Sequence, residues 1–138
     1  MRKIIVVVDG QGGGLGSQII GRLKTLLPED AEIVALGTNA LATARMMKAG
    51  AHRGASGENA LARTVASACA VLGSIAVVMP NSMLGELTAK MAEAILNSPA
   101  HKLLLPVNNE GIRIMGVGKA PLSGLIDGLC NEAVRSIN

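Results

Sequence analysis

The chain has 138 residues, of which 49% are hydrophobic and 17% are charged, with a formal net charge of +3. That length and apolar content predict a single domain over residues 1–138 with a buried core, and they exclude a disordered chain. Phe, Tyr and Trp are absent and the lysines and arginines are scattered, so neither aromatic stacking platforms nor a basic stripe predicts a nucleic-acid partner.

The first half of the chain alternates β-branched apolar runs with segments of helical periodicity, which is typical of βαβ units. The predicted strands of this half are Lys3–Val8, Glu32–Leu36 and Ala51–Ala55. The first helix follows the first strand and ends near Pro28, and the second begins at the capping residue Asn39 and runs through Lys48. Ser56 is expected to cap the third helix.

The second half predicts three more strands and two more helices. The strands are expected at Ala70–Gly73, Lys102–Val107 and Ile112–Val117, whereas residues 74–79 fit either a continued strand or a loop. The run Ile112–Val117 follows a turn and is predicted to be an antiparallel edge strand. Apolar residues at helical spacing predict one helix lined by Leu84, Leu87, Met91 and Ile95, and a last helix lined by Leu122, Leu125, Ile126, Leu129 and Ala133.

These elements predict an α/β fold, namely a Rossmann-like three-layer sandwich. Its sheet is expected to be mainly parallel, with the first strand in the centre and helices on both faces. The uncharged stretch between Arg63 and Glu86 contains glycine, proline and several serines, which favours a buried parallel strand and a loop over a membrane span. Because the N-terminal apolar run is too short for a signal peptide, we expect a cytoplasmic protein.

The strongest functional signal is a glycine-rich loop between the first strand and the first helix. Its sequence is Asp9-Gly10-Gln11-Gly12-Gly13-Gly14-Leu15-Gly16. Glycine lets an anion approach the backbone closely, and a helix N-terminus offers N–H groups and a positive dipole end to that anion. The loop therefore predicts a phosphate or nucleotide site. Two alternatives stay open, because the glycines could serve only close packing of helix and strand, and Asp9 could only brace the loop.

Thr38 and Asn39 follow the second strand and are expected to flank a ligand held by the glycine-rich loop. An acidic residue at this position usually holds the adenine ribose of NAD, and none is present, so a phosphorylated ribose held by Arg53, Thr38 or Asn39 is the alternative. Ser56 lies in a second polar loop that could close over the phosphate. Residues 81–86 and 108–109 are expected to open on the same edge of the sheet.

Two resemblances bear on the ligand and the family. The spacing of Gly10, Gly14 and Gly16 resembles the cofactor loop of short-chain dehydrogenases, which makes NAD(P) or an adenine nucleotide the suspected cofactor, although the catalytic tyrosine of those enzymes is missing. The motifs VDGQGGGLG, ALGTNALAT, KAGAHRGASGEN, NSMLGE and MAEAI together resemble the bacterial family called domain of unknown function 3842, from the first strand to about Val117. That resemblance implies a bacterial cytosolic origin and the same fold, and it supplies no catalytic residue.

Three functions remain open from the sequence. They are a nucleotide- or phosphometabolite-binding module, a small NAD(P)-dependent oxidoreductase or other nucleotide-dependent enzyme, and a structural interaction protein whose loop is empty. The high apolar content predicts a homodimer or a higher closed oligomer. Cys69 and Cys130 are expected to be reduced thiols, and the isolated His52 and His101 lack the spacing of metal ligands.

Overall fold

The computed structural model describes residues 2–138 as alternating strands and helices. The strands are β1 (Lys3–Asp9), β2 (Ala31–Gly37), β3 (Arg53–Ser56), β4 (Ala70–Ser74) and β5 (His101–Leu105). The helices are α1 (Gly14–Leu23), α2 (Ala40–Ala49), α3 (Glu58–Val65), α4 (Ala89–Asn97) and α5 (Leu122–Ile137), and a 3₁₀ turn spans Ile75–Val78. The expected alternation is thus confirmed, and most predicted boundaries agree to within a few residues.

The five strands form one sheet in the order β3-β2-β1-β4-β5, and every pairing is parallel. β1 is central, as predicted, and its residues Ile5, Val6, Val7 and Val8 are buried on both faces of the sheet. An uninterrupted run of β-branched residues suits this position, because helices cover both sides of a parallel sheet.

The core lies in two layers, one on each face of the sheet. Ile5 and Val7 of β1 point to the layer that contains the buried side chains of α1 and α5. Val6 and Val8 point to the opposite layer, which contains buried side chains of α3 and α4. This alternation along one strand gives the three-layer sandwich that the sequence predicts.

The predicted antiparallel edge strand at Ile112–Val117 is wrong, because these residues form turns and irregular chain. The side chain of Asn108 supplies the physical reason. Its Oδ1 accepts from the N–H of Ile112 at 3.2 Å, and its Nδ2 donates to the carbonyl of Ile112 at 3.0 Å. Both backbone groups that a β-ladder would use at this residue are therefore taken locally.

Two further local predictions are corrected. Ser56 does not cap α3, because it is the last residue of β3 and its Oγ lies 2.7 Å from Oγ1 of Thr43, while Gly57 occupies the cap position. Leu84 does not line a helix, because α4 begins only after the capping residue Thr88. The polar loop before Thr88 instead leaves the Leu84 side chain 96% exposed.

Candidate functional site

A cleft of about 640 Å³ opens beside the glycine-rich loop. It lies at the carboxyl ends of β1 and β4. β2 and β3 lie on one side of β1 and β4 and β5 lie on the other, so the order of the strands reverses its direction between β1 and β4. Ligands of open α/β sheets bind at such a switch point. The cleft is lined by residues 9–15 from the loop after β1, by Ser74, Ala76, Asn81, Met83 and Leu84 from the region after β4, and by residues 107–110 from the segment after β5.

Asp9 braces the glycine-rich loop. Its Oδ1 accepts from the N–H of Gly10 at 2.8 Å and its Oδ2 accepts from the N–H of Gly16 at 2.7 Å. Burial raises the pKa of Asp9 above its ordinary value, although these two hydrogen bonds and the charge of Arg45 act to lower it. The carboxylate thereby closes the loop into a ring against the first turn of α1.

Three backbone N–H groups of the loop keep no acceptor among residues 2–138. They belong to Gly12, Gly14 and Leu15, and all three residues line the cleft. The other donors are engaged, since Gly13 donates to the carbonyl of Gly10 and Gln11 donates to Glu86. The end of the loop and the first turn of α1 thus hold a small cluster of N–H groups beside the cleft, at the positive end of the helix dipole.

The glycines of the loop differ in what an added side chain would meet. A Cβ at Gly13 would lie 2.8 Å from the carbonyl oxygen of Ala42, and one at Gly16 would lie 2.9 Å from Cβ of Asp9. At Gly10 it would lie 2.5 Å from Oγ1 of Thr38. At Gly12 and Gly14 it would meet only Nη1 of Arg45, at 3.6 Å. Packing therefore explains the absence of a side chain at three positions and leaves Gly12 and Gly14 unexplained.

Glu86 reaches the glycine-rich loop from the region after β4. Its Oε1 accepts from the N–H of Gln11 at 2.7 Å, from Oγ1 of Thr38 at 2.6 Å and from Nδ2 of Asn39 at 3.0 Å. The hydrogen bond from Thr38, followed by that from Gln11, lowers the pKa of Glu86 below its ordinary value. A partly exposed carboxylate is thus fastened between the ends of β1 and β2.

The structure brings together some of the residues that the sequence singled out and separates others. Thr38 and Asn39 lie on one flank of the glycine-rich loop, where Asn39 also donates to the carbonyl of Gln11 at 3.0 Å. Arg53 lies elsewhere, on the outer strand β3, and its Nη2 pairs with Glu32 at 2.5 Å. Ser56 turns inward to Thr43, and the lining of the cleft includes neither Arg53 nor Ser56. Thr38, Asn39, Arg45 and Glu86 adjoin the glycine-rich loop beside the cleft and are not part of its lining either.

Two charged side chains at the loop had no role assigned to them by the sequence reasoning, although Glu86 belongs to the segment 81–86 that was expected at this edge. Glu86 is one, and the other is Arg45 of α2, whose Nη1 donates to the carbonyl of Gly12 at 3.2 Å. Arg45 lies on the exposed face of α2, and the helical pattern of the sequence predicts an ordinary surface residue there. The only signal for either residue was that both belong to elements expected to end or begin at the same edge of the sheet.

Polar groups also line the far side of the cleft. Asn81, Asn108 and Asn109 contribute amide side chains, and Oε1 of Glu110 accepts from the N–H of Met83 at 3.3 Å. The expectation that residues 81–86 and 108–109 share one edge with the glycine-rich loop is confirmed in position. Within residues 2–138 no group of three or more His, Cys, Asp and Glu side chains could hold a metal ion.

The strand order, the all-parallel sheet and the two helical layers define a Rossmann-like α/β protein with a cleft at the switch point. The chain belongs to the family described as Domain of unknown function (DUF3842), whose model matches residues 4–138. The match extends beyond Val117 and includes α5. No curated protein matches the chain. No helix within residues 2–138 has both the length and the apolar character needed to cross a bilayer.

Proposed function

We propose that this domain is a nucleotide- or phosphometabolite-binding module whose ligand places a phosphate on the N-terminus of α1. The observation that carries the proposal is the cluster of N–H groups of Gly12, Gly14 and Leu15, which line the cleft and lack an acceptor among residues 2–138. Donors of this kind, at the positive end of a helix, are suited to a phosphate. The volume of about 640 Å³ is that of a small-molecule site.

Arg45 adds a cation to this site. Its guanidinium lies over Gly12 and Gly14, and it keeps further N–H donors beyond the one given to Gly12. A hydrogen bond between a guanidinium and a phosphate oxygen is about twice as strong as a neutral one. Arg45 lies beside the loop and outside the lining of the cleft, so it would add its charge at the edge of the phosphate site.

The alternative of an empty packing turn accounts for part of the glycine-rich loop. Gly10, Gly13 and Gly16 leave no room for a Cβ, as close packing of the loop against its neighbours requires. Gly12 and Gly14 have that room, and a phosphate approaching the backbone supplies the reason for glycine at both. We prefer a binding module to an oxidoreductase because the chain has no tyrosine, the residue through which short-chain dehydrogenases act.

The test of this proposal is Gly14→Val, which places a branched side chain where the phosphate must approach. The fold should tolerate it, since Gly14 is not among the residues with positive φ and the added Cβ meets only the mobile end of Arg45. We expect binding of pyrophosphate and ADP, measured by titration calorimetry, to fall at least about tenfold, a loss of roughly 1.4 kcal/mol.

The matched control for this test is Gly21→Val, which adds the same side chain to α1 at a position with no atom within 4 Å of the new Cβ. Its affinity for both ligands should equal that of the unmodified protein. Unchanged affinity in a folded Gly14→Val protein would remove the glycine-rich loop as the phosphate site and leave the packing interpretation.

We also propose that the protein is a homo-oligomer, in which the segment 109–121 contacts a second copy. Every residue of this segment is exposed, including the large apolar residues Ile112 (50%), Met115 (84%) and Val117 (49%). An apolar surface of this kind on a small chain is typical of an interaction site. A cytoplasmic location and a bacterial origin remain predictions.

A further inference from the structure

We propose that Glu86 recognises the ribose of the ligand, and that the ligand is a nucleoside phosphate whose ribose carries free 2′ and 3′ hydroxyls. This inference rests on the proposed function, because it takes the phosphate to lie on the glycine-rich loop. It names the class of ligand that the loop alone leaves open.

The place of the ribose follows from the order of the strands. β1 and β2 are neighbours with Asp9 opposite Gly37, so the glycine-rich loop and Thr38 leave the sheet side by side. In an open α/β sheet, a nucleotide whose phosphate lies on the first loop carries its ribose over the end of the second strand. The acidic residue that accepts ribose hydroxyls there is absent from the residues that follow β2, which are Thr38 and Asn39.

Glu86 supplies the missing carboxylate from a different loop. Its Oε1 is held by Thr38, Asn39 and the N–H of Gln11, which are the groups that surround the end of β2 and the start of the glycine-rich loop. Three donors on one oxygen fix the position of the whole carboxylate. No donor within residues 2–138 reaches Oε2, which leaves that atom as an acceptor for the hydroxyls of a ribose.

The charge of Glu86 disfavours a ribose phosphorylated on its 2′ oxygen. The hydrogen bonds from Thr38 and Gln11 lower the pKa of Glu86, so its carboxylate is ionised at neutral pH and repels a second anion. Arg53, which the sequence offered as a partner for a 2′-phosphate, is instead paired with Glu32 on the outer strands. The geometry thus favours ADP-like and NAD-like ligands over their 2′-phosphorylated forms.

The experiment compares each nucleoside diphosphate with its 2′-deoxy form, which differs from it only at the ribose. Titration calorimetry measures binding of ADP, GDP, CDP and UDP, of their 2′-deoxy counterparts, and of inorganic pyrophosphate. We expect the tightest ribonucleotide to exceed its 2′-deoxy form by about tenfold, since one hydrogen bond to a charged acceptor is lost. The affinity for pyrophosphate measures how strongly the glycine-rich loop binds phosphate groups without a contribution from the ribose.

Glu86→Gln then isolates the carboxylate. The glutamine keeps an oxygen for Thr38, Asn39 and Gln11 but turns the outward Oε2 into an amide nitrogen, which donates and cannot accept. The ratio between ribonucleotide and 2′-deoxynucleotide should fall from about tenfold to about one. The affinity for pyrophosphate should not fall, because the substitution removes a negative charge beside the loop. The control is Glu93→Gln, which removes the same charge from an exposed position on α4 and should keep the tenfold ratio.

The possible results distinguish a failure of this inference from a failure of the proposed function on which it rests. If the unmodified protein binds pyrophosphate but prefers no ribonucleotide, or if Glu86→Gln keeps the ribose preference, the role of Glu86 is overturned and the phosphate site stands. If neither pyrophosphate nor any nucleotide binds, the proposed function fails and the inference fails with it. The comparison of ligands on the unmodified protein does not depend on how well the variant folds.

Discussion

Gly13 and Gly14 are adjacent in the sequence and serve different physical purposes. Gly13 has a φ of 72° and lies against the backbone of Ala42, so both its conformation and its contact require glycine. Gly14 begins α1 with room for a side chain. The sequence predicted the loop and its place, but it could not separate these two kinds of glycine, because the distinction depends on where α2 packs.

We predict that this difference appears in stability. Gly13→Ala should lower the free energy of unfolding by roughly 1–3 kcal/mol, because an L-residue is strained in the left-handed region and its Cβ would contact the Ala42 carbonyl. Gly14→Ala should raise it by up to about 1 kcal/mol, because alanine loses less backbone entropy on folding. Urea denaturation followed by far-UV circular dichroism measures both, and equal effects would contradict this account.

The contacts of the charged residues at the site could not be predicted from the sequence. Thr38 was predicted at the flank from its position after β2, and it lies there. Glu86 is separated from Thr38 by α2, β3, α3 and β4 along the chain, and only the folded loop after β4 brings its carboxylate to 2.6 Å from Thr38 Oγ1. Periodicity and local motifs carry no information on such a contact between distant loops.

Among the elements, helix caps and apolar periodicity were reliable only in part, since the predicted cap Ser56 and the predicted helical residue Leu84 were both wrong. Asn39 caps α2 as predicted, with its Oδ1 accepting from the N–H of Ala42 at 2.8 Å, and Gly50 ends the helix at a φ of 125°. The apolar run at Ile112–Val117 was misleading, because the side chain of Asn108 hydrogen-bonds both backbone groups of Ile112.

The contact between α1 and α5 leads to a prediction about Cys130. Its thiol is fully buried in this interface, with Sγ 3.6 Å from the carbonyl oxygen of Ile19, and burial raises its pKa to about 11. At about pH 8 this pKa leaves roughly one thiolate in a thousand, and the thiolate is the reactive form. Cys130 should therefore react with a disulfide reagent only when the protein unfolds.

Cys69→Ser isolates this thiol, because Cys69 is the half-buried cysteine and Cys130 the other one in the chain. The folded variant should show almost no reaction over the time in which the urea-unfolded variant reacts completely. Equal rates in the two states would mean that α5 separates readily from α1.

At the scale of the whole molecule, the parallel sheet with β1 in its centre was predictable, because buried apolar runs separated by helical periodicity admit few other arrangements. The oligomeric state was less predictable than the fold. The sequence signal for an oligomer was a high apolar content, and our proposal for its interface rests on the exposed segment 109–121 after β5.

We predict that replacing Ile112, Met115 and Val117 together with serine converts an oligomer into single chains without lowering the free energy of unfolding. The three side chains are exposed, so the fold gains little from them, whereas an interface would bury them. Light scattering at micromolar concentration measures the mass, and Leu96→Ser, on the 57% exposed position of α4, is the control that should leave it unchanged. A monomeric mass for the unmodified protein would reject the assembly.

The all-parallel sheet also determines how the chain must come together during synthesis. Each pairing joins distant parts of the chain, with Lys3 opposite Ala31 on one side of β1 and Ile5 opposite Ala70 on the other. β1 therefore keeps one apolar edge open until β4 has been synthesised. Sheets of this kind form slowly, because the entropy of closing long loops is lost before their contacts form. A nascent chain that ends before Ala70 exposes a hydrophobic edge of β1, and it is at this stage that aggregation competes with folding.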